Sequence, residues 1–162
     1  MLSNTIHFLA ALLSALLAGI FYAYSCSVNP GLQRLPDSSY LAAMQHINRV
    51  IQNPAFFLCF FGPVLLLPLS TFLHYGKSTA GFWCLLLAAV CYIIGVFGVT
   101  IAGNVPLNNQ LDVFDLSKAS TDGLAGMRAK FEGPWNRWHN LRTFLSVLAA
   151  GLAIAGIFLK KG

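Results

Sequence analysis

Charge is what this chain has least of. Lys, Arg, Asp and Glu make up 9% of its 162 residues, while 57% are hydrophobic; soluble domains carry roughly 25% charged residues. That scarcity excludes an ordinary water-soluble domain and points to a membrane protein, and the length suits one domain over residues 1–162. Cysteine is also sparse. No two of Cys26, Cys59, Cys84 and Cys91 have the two-residue spacing of a zinc or redox motif, so they read as small apolar packing residues. Basic runs are missing too, since none exceeds Lys160-Lys161, and the formal charge of +5 gives no reason to expect nucleic acid. The lysine pair reads as an interfacial anchor. No catalytic triad, phosphate-binding loop, paired carboxylates or flavin or nicotinamide fingerprint is present.

What the chain has is long uncharged runs. Residues 6–24, 55–73, 81–102 and 143–159 contain no formal charge, and each approaches or exceeds the about 20 residues needed to cross a bilayer core. Four continuous spans must be helices, because lipid offers the backbone no other partner. The expected fold is all-α, an integral membrane four-helix bundle with an extra amphipathic helix at about 38–52 in the first long loop. No Lys or Arg precedes the first run, so it is expected to stay as a helix and not to be cleaved as a leader. Four spans place both termini on one side, with the two long loops opposite. Read strictly, the excess of Lys and Arg in those loops makes their side cytoplasmic; all five acidic residues also lie there, and absolute orientation stays open.

Packing and bending are also readable. Small residues recur at Ala11, Ala15 and Gly19, beside Ala10, Ser14 and Ala18, and in the last span at Gly151 and Ala155, beside Ala149 and Ala153; the first and last spans should therefore approach closely. Pro63 and Pro68 should bend the second span. Pro106 should stop the third helix, and Asn29-Pro30-Gly31 reads as a turn. In the 38–52 helix, with Asp37 or Ser38 as N-cap, Tyr40, Met44, Ile47 and Ile51 share one face. Gln45, Asn48, Arg49 and Gln52 share the other. That second face is mostly amides, which donate and accept directionally, and suits the cover of a polar cavity.

The polar tracts converge on the loop side. Asn104, Asn108 and Asn109 leave the third span, while Trp135, Trp138, His139 and Arg142 enter the fourth at helical offsets of three, four and seven. Two Trp alone would be an interfacial belt. Arg142 at the membrane edge demands a partner, be it an acid, amide oxygens or an anionic ligand. The expected site therefore gathers Gln45, Asn48, Arg49, Asn104, Asn108, Trp135, Trp138, His139 and Arg142 around a polar pocket that suits a hydrophobic small molecule or lipid.

Phe21-Tyr22-Ala23 with Asn29-Pro30-Gly31-Leu32, residues Ala43 to Arg49, Asn53-Pro54-Ala55-Phe56, Asn104 to Asn108, and Trp135-x-x-Trp138-His139-x-x-Arg142-Thr143 together resemble the family of small four-helix membrane proteins grouped with the fungal anthrone oxygenases. The resemblance runs through nearly the whole chain in order. It implies a four-helix membrane domain and, for some members, insertion of oxygen into an aromatic anthrone, and it marks Gln45, Asn48, Arg49, Asn104, Asn108, Trp138, His139 and Arg142. For a reaction of that kind the catalytic candidates are His139, Arg142 and His46: His139 or His46 would act as base, with Arg142 and the amides stabilising the enolate oxygen. Two other classes stay open. Haem or copper could be held by His46 and His139, with His7 and His74 as a second pair at the tail side. Alternatively, the chain is a non-enzymatic small-molecule or lipid binder, and a homo-oligomer is compatible with each class.

Overall fold

The computed structural model describes residues 2–77 and 79–159; the Lys160-Lys161 anchor lies outside the described residues. Helices α1 (Leu2–Ala23), α4 (Pro54–His74), α5 (Thr79–Val90) and α7 (Thr121–Phe158) form a bundle. α1 and α5 each lie between α4 and α7. Four helical stretches, Leu2–Leu32, Pro54–His74, Thr79–Asp112 and Thr121–Phe158, are long and apolar enough to cross a membrane, consistent with a multi-pass membrane protein. No strand occurs among the described residues.

Three of these stretches outrun their expected bounds. The first passes through a π turn (Tyr24–Val28) into the short α2 (Asn29–Leu32), so Asn29-Pro30-Gly31 is helical and not a turn. The third runs from α5 through π segments at Cys91–Gly98 and Thr100–Asn104 into α6 (Val105–Asp112). Pro106 does not stop it, because it falls in the first turn of α6, where the missing N–H is least needed. α7 begins 22 residues before the uncharged run at 143. Ser120 caps it, accepting from the Gly123 N–H at 3.2 Å, and its 38 residues span about 57 Å at about 1.5 Å per residue. That exceeds a hydrocarbon core of about 30 Å, so one end of α7 projects beyond it.

α1 meets α7 through small residues, as expected, but only part of the expected set is buried. Ala10, Ser14 and Ala18 are buried with Ala149 and Ala153, whereas Gly19 and Gly151 are exposed. Seams of this kind let backbones approach where lipid gives little apolar driving force. Pro63 in α4 cannot donate to the Cys59 carbonyl. The buried Tyr92 hydroxyl of the third helix stands in, donating to the Cys59 and Phe60 carbonyls at 3.0 Å each, and so locks the third helix to α4 at the proline.

The loop-side end carries a cap. α3 (Asp37–Val50) packs on α6 and α7, and Tyr40, Leu41, Met44, Leu111, Phe131 and Trp135 form a second buried core there. Neither Asp37 nor Ser38 is the N-cap of α3; Pro36 holds that place. The Asp37 carboxylate instead takes Arg128 at 2.9 Å, and Arg128 also holds Glu132 at 2.6 Å. The Arg128 guanidinium lies 4.4 Å over the Tyr40 ring. Burial first, and then the Glu132 carboxylate and Tyr24, push the Tyr40 hydroxyl above its ordinary range, so the ring is a neutral plate beneath the cation.

Candidate functional site

α7 presents Trp135, His139 and Arg142 to the interior because offsets of three, four and seven fall on one helix face. Their exposures are 3%, 1% and 8%. The Trp135 and His139 rings stack with centroids 4.9 Å apart and planes 14° off parallel. The Arg142 guanidinium lies 4.2 Å over Phe21 and 5.3 Å from the Trp135 ring.

Arg142 is buried, and no carboxylate of the described residues pairs with it. Among the described residues, Asp37 and Glu132 pair with Arg128, Asp112 with Arg49 and Asp115 with Lys118. Arg142 Nε and Nη2 instead donate to His139 Nδ1 at 3.3 and 3.1 Å, and Nη1 donates to Thr100 Oγ1 at 3.3 Å. A guanidinium has five N–H donors and no acceptor. Three are accounted for by these long bonds, leaving two without a protein acceptor among the described residues. The same bonds define His139: Nδ1 must accept, so the neutral ring carries its proton on Nε2, 3.0 Å from Ser25 Oγ.

This cluster opens onto a cavity of about 240 Å³, larger than the about 150 Å³ that holds benzene and near the about 300 Å³ lower end of small-molecule pockets. One wall is aromatic, with Phe56, Phe57, Phe60 and Phe61 of α4 facing Phe21 and Tyr24 of the first helix. Thr100, Ile101, Val105, Asn108 and Asn109 of the third helix line another side, and Ile47, Asn48, Ile51 and Gln52 cover the loop-side end. The cover therefore comes from α3 and the two residues after it. A second depression, lined by Pro68, Phe72, Ile93 and Ile94 among others, is apolar and lies away from these groups.

The expected site residues divide. Arg142, His139, Trp135, Asn48 and Asn108 line the cavity. Asn108 Oδ1 accepts from the Trp135 indole N–H at 2.8 Å, which turns its amide N–H groups elsewhere. Asn48 is 9% exposed, and its amide nitrogen is buried without a hydrogen-bond partner. Gln45 is not on the wall: its amide donates to the Leu111 and Phe114 carbonyls at 2.8 and 2.9 Å, capping the end of α6. Asn104, fully buried, ties the third helix to α7 by donating to the Trp135 carbonyl at 3.1 Å. Trp138 is 41% exposed and packs outside, over Gly103, where an added Cβ would come within 2.6 Å of the indole. Arg49 is exposed and pairs with Asp112 at 2.6 Å.

His46 is exposed and not part of the wall, so it is not brought into the cavity beside His139 as a base or metal ligand. At the other end of the bundle, His7 and His74 touch edge to face with centroids 4.7 Å apart, leaving no gap between the rings for a porphyrin. His7 Nε2 donates to the Ala153 carbonyl at 3.0 Å, and His74 Nδ1 donates to the Ser70 carbonyl at 2.8 Å. Phe21, Tyr24, Ser25 and Thr100 were not foreseen as site residues. The only signal for Thr100 is a hydroxyl in an otherwise apolar run, and for Tyr24 and Ser25 their place at the end of the first span; Phe21 also stands in the Phe21-Tyr22-Ala23 tract of the family resemblance.

A family model described as Anthrone oxygenase matches residues 56–152, more than half of the chain. The matched region runs from α4 to α7 and contains Thr100, Asn108, Trp135, His139 and Arg142. No curated protein and no solved structure matches the chain.

Proposed function

The chain belongs to the anthrone oxygenase family, and from that membership we propose that its cavity binds a flat, hydrophobic anthrone-like aromatic and promotes oxidation by molecular oxygen without a cofactor. The observation that carries this reading is Arg142, a buried guanidinium with no acid partner and spare donors on an aromatic cavity. Such a group favours the form of a guest that places negative charge on oxygen. An anthrone becomes that form by losing a proton from the carbon opposite its carbonyl, giving an enolate.

Arg142 holds the enolate oxygen. Its move from His139 to that oxygen frees His139 Nδ1, the ring's lone pair, to take the proton. The enolate gives one electron to oxygen, and the resulting radical pair joins to form a C–O bond and, with a proton, a hydroperoxide at the deprotonated carbon. Cleavage of the O–O bond with loss of the second hydrogen from that carbon releases water and leaves a quinone. One oxygen atom enters the substrate and the other leaves in water with the two hydrogens. The Asn48 and Asn108 amides supply donors for a second oxygen of the guest toward the loop side.

The test is oxidation of anthrone by purified protein in lipid nanodiscs, following quinone absorbance and oxygen uptake against the spontaneous rate. One oxygen is expected to be consumed per quinone formed. Arg142→Gln is expected to lower kcat about 100-fold or more, as losing one oxyanion donor does elsewhere, and Arg142→Lys to recover part of it. A wild-type rate equal to the spontaneous one, or an Arg142→Gln variant as fast as wild type, would overturn the proposal.

A further inference from the structure

The cavity wall is also part of the outer surface. Phe57, Phe61 and Ile101 line the cavity, yet they are 38%, 47% and 46% exposed. All three belong to helices long and apolar enough to cross a membrane, so their outer sides face acyl chains. Phe97 closes the seam between α4 and the third helix lower down, with its ring 5.3 Å from Phe60 and 5.9 Å from Phe61. One turn further on lies Ile101. From there the second π segment and α6 pack chiefly on α7 and α3, and the seam with α4 becomes a slit.

We infer that the guest enters sideways from the bilayer, through the slit between Phe57 of α4 and Ile101 of the third helix. This inference rests on the reading of the cavity as the site of an anthrone-like molecule. Such a molecule concentrates among acyl chains, and a path edged by Phe57 and Ile101 asks it to shed no water. The loop-side route is unlike it. That end is covered by α3, which Gln45 and Arg128 hold down through hydrogen bonds to α6, α7 and the preceding loop, and its edges, Gln52 and Asn109, are polar. The slit admits the substrate and releases the less polarised product, while Arg142 stays shielded from water.

The experiment measures stopped-flow association of anthraquinone with the protein in proteoliposomes, read by quenching of tryptophan fluorescence, with equilibrium affinity measured in parallel. Narrowing the slit with Ile101→Phe and Val105→Phe together is expected to slow association about tenfold, with dissociation slowed alongside it, as a gate acts on both rates; both residues also line the cavity, so any change in affinity is read separately from the equilibrium measurement. Phe57→Ala is expected to speed both. Ile94→Phe, on the same helix but away from the cavity, keeps wild-type rates. Association of the double variant at the wild-type rate, or a loss of affinity with association unchanged, overturns the route. Binding is read without turnover, so a wild type that takes up quinone but does not oxidise anthrone sinks the oxidation reading alone. A wild type that takes up no quinone overturns the route as well.

Discussion

The bundle and its loop-side cap are held by different physics. In the bundle, Ala10, Ser14, Ala149 and Ala153 bury almost nothing large; helices approach through small side chains, and dispersion between close backbones does the holding. The cap buries Tyr40, Phe131 and Trp135 and adds directional bonds, from Arg128 to two carboxylates and from Gln45 to two carbonyls. A region beside water can use the hydrophobic effect, whereas one in lipid has little of it to use. The cavity lies where the two meet, and Trp135 belongs to both.

Breaking that shared residue should have the largest effect. Trp135→Ala is expected to cost about 3–5 kcal/mol, the usual range for removing a buried Trp, and to remove ligand binding as well. Thermal unfolding in detergent together with anthraquinone binding checks it. If binding survives with stability lost, Trp135 serves the cap alone. Gly103→Val tests the bundle: its side chain would fall on the Trp138 indole, and overpacking of that kind costs about 1–3 kcal/mol. Stability should fall without selective loss of protection in α3, and the opposite pattern would show that the third helix anchors the cap.

Arg128→Met tests the cap. Arg128 is mostly buried between Asp37 and Glu132, and losing its charged hydrogen bonds should cost about 2 kcal/mol. Hydrogen exchange should rise in residues 37–50 while the buried bundle stays protected; uniform loosening would mean that cap and bundle unfold as one. Arg49→Gln should matter least. Its ion pair with Asp112 is half-exposed on both sides, and surface pairs contribute about 0–1 kcal/mol, so unfolding near wild type is expected at moderate salt. A larger loss would show that Arg49 holds α3 as firmly as Gln45 does.

Much of this was legible beforehand. Uncharged runs disclosed the stretches long and apolar enough to cross a membrane, and the spacing of Trp135, His139 and Arg142 disclosed the helix face that lines the cavity. The amides misled. Gln45 and Asn104 have the chemistry of ligand-binding residues and bond to backbone carbonyls instead, since an amide serves an α-helix end and a guest's oxygen equally well. Pro106 misled for a related reason: preceded by π turns, it lies at a position where a missing N–H breaks nothing.

By itself, the sequence determined that the chain is all helical, that four stretches are long and apolar enough to cross a bilayer, and that Arg142 needs a partner. Composition, run length and charge carry those facts because the solvent imposes them residue by residue. Only the tertiary structure decided what that partner is not. Asp37, Asp112, Asp115 and Glu132 are engaged elsewhere, Asp122 lies in the first turn of α7, and Arg142 is left to His139, Thr100, the Phe21 ring and an aromatic cavity. The contacts with Thr100 and Phe21 cross 42 and 121 positions of sequence, and only the packing of one helix against another sets them.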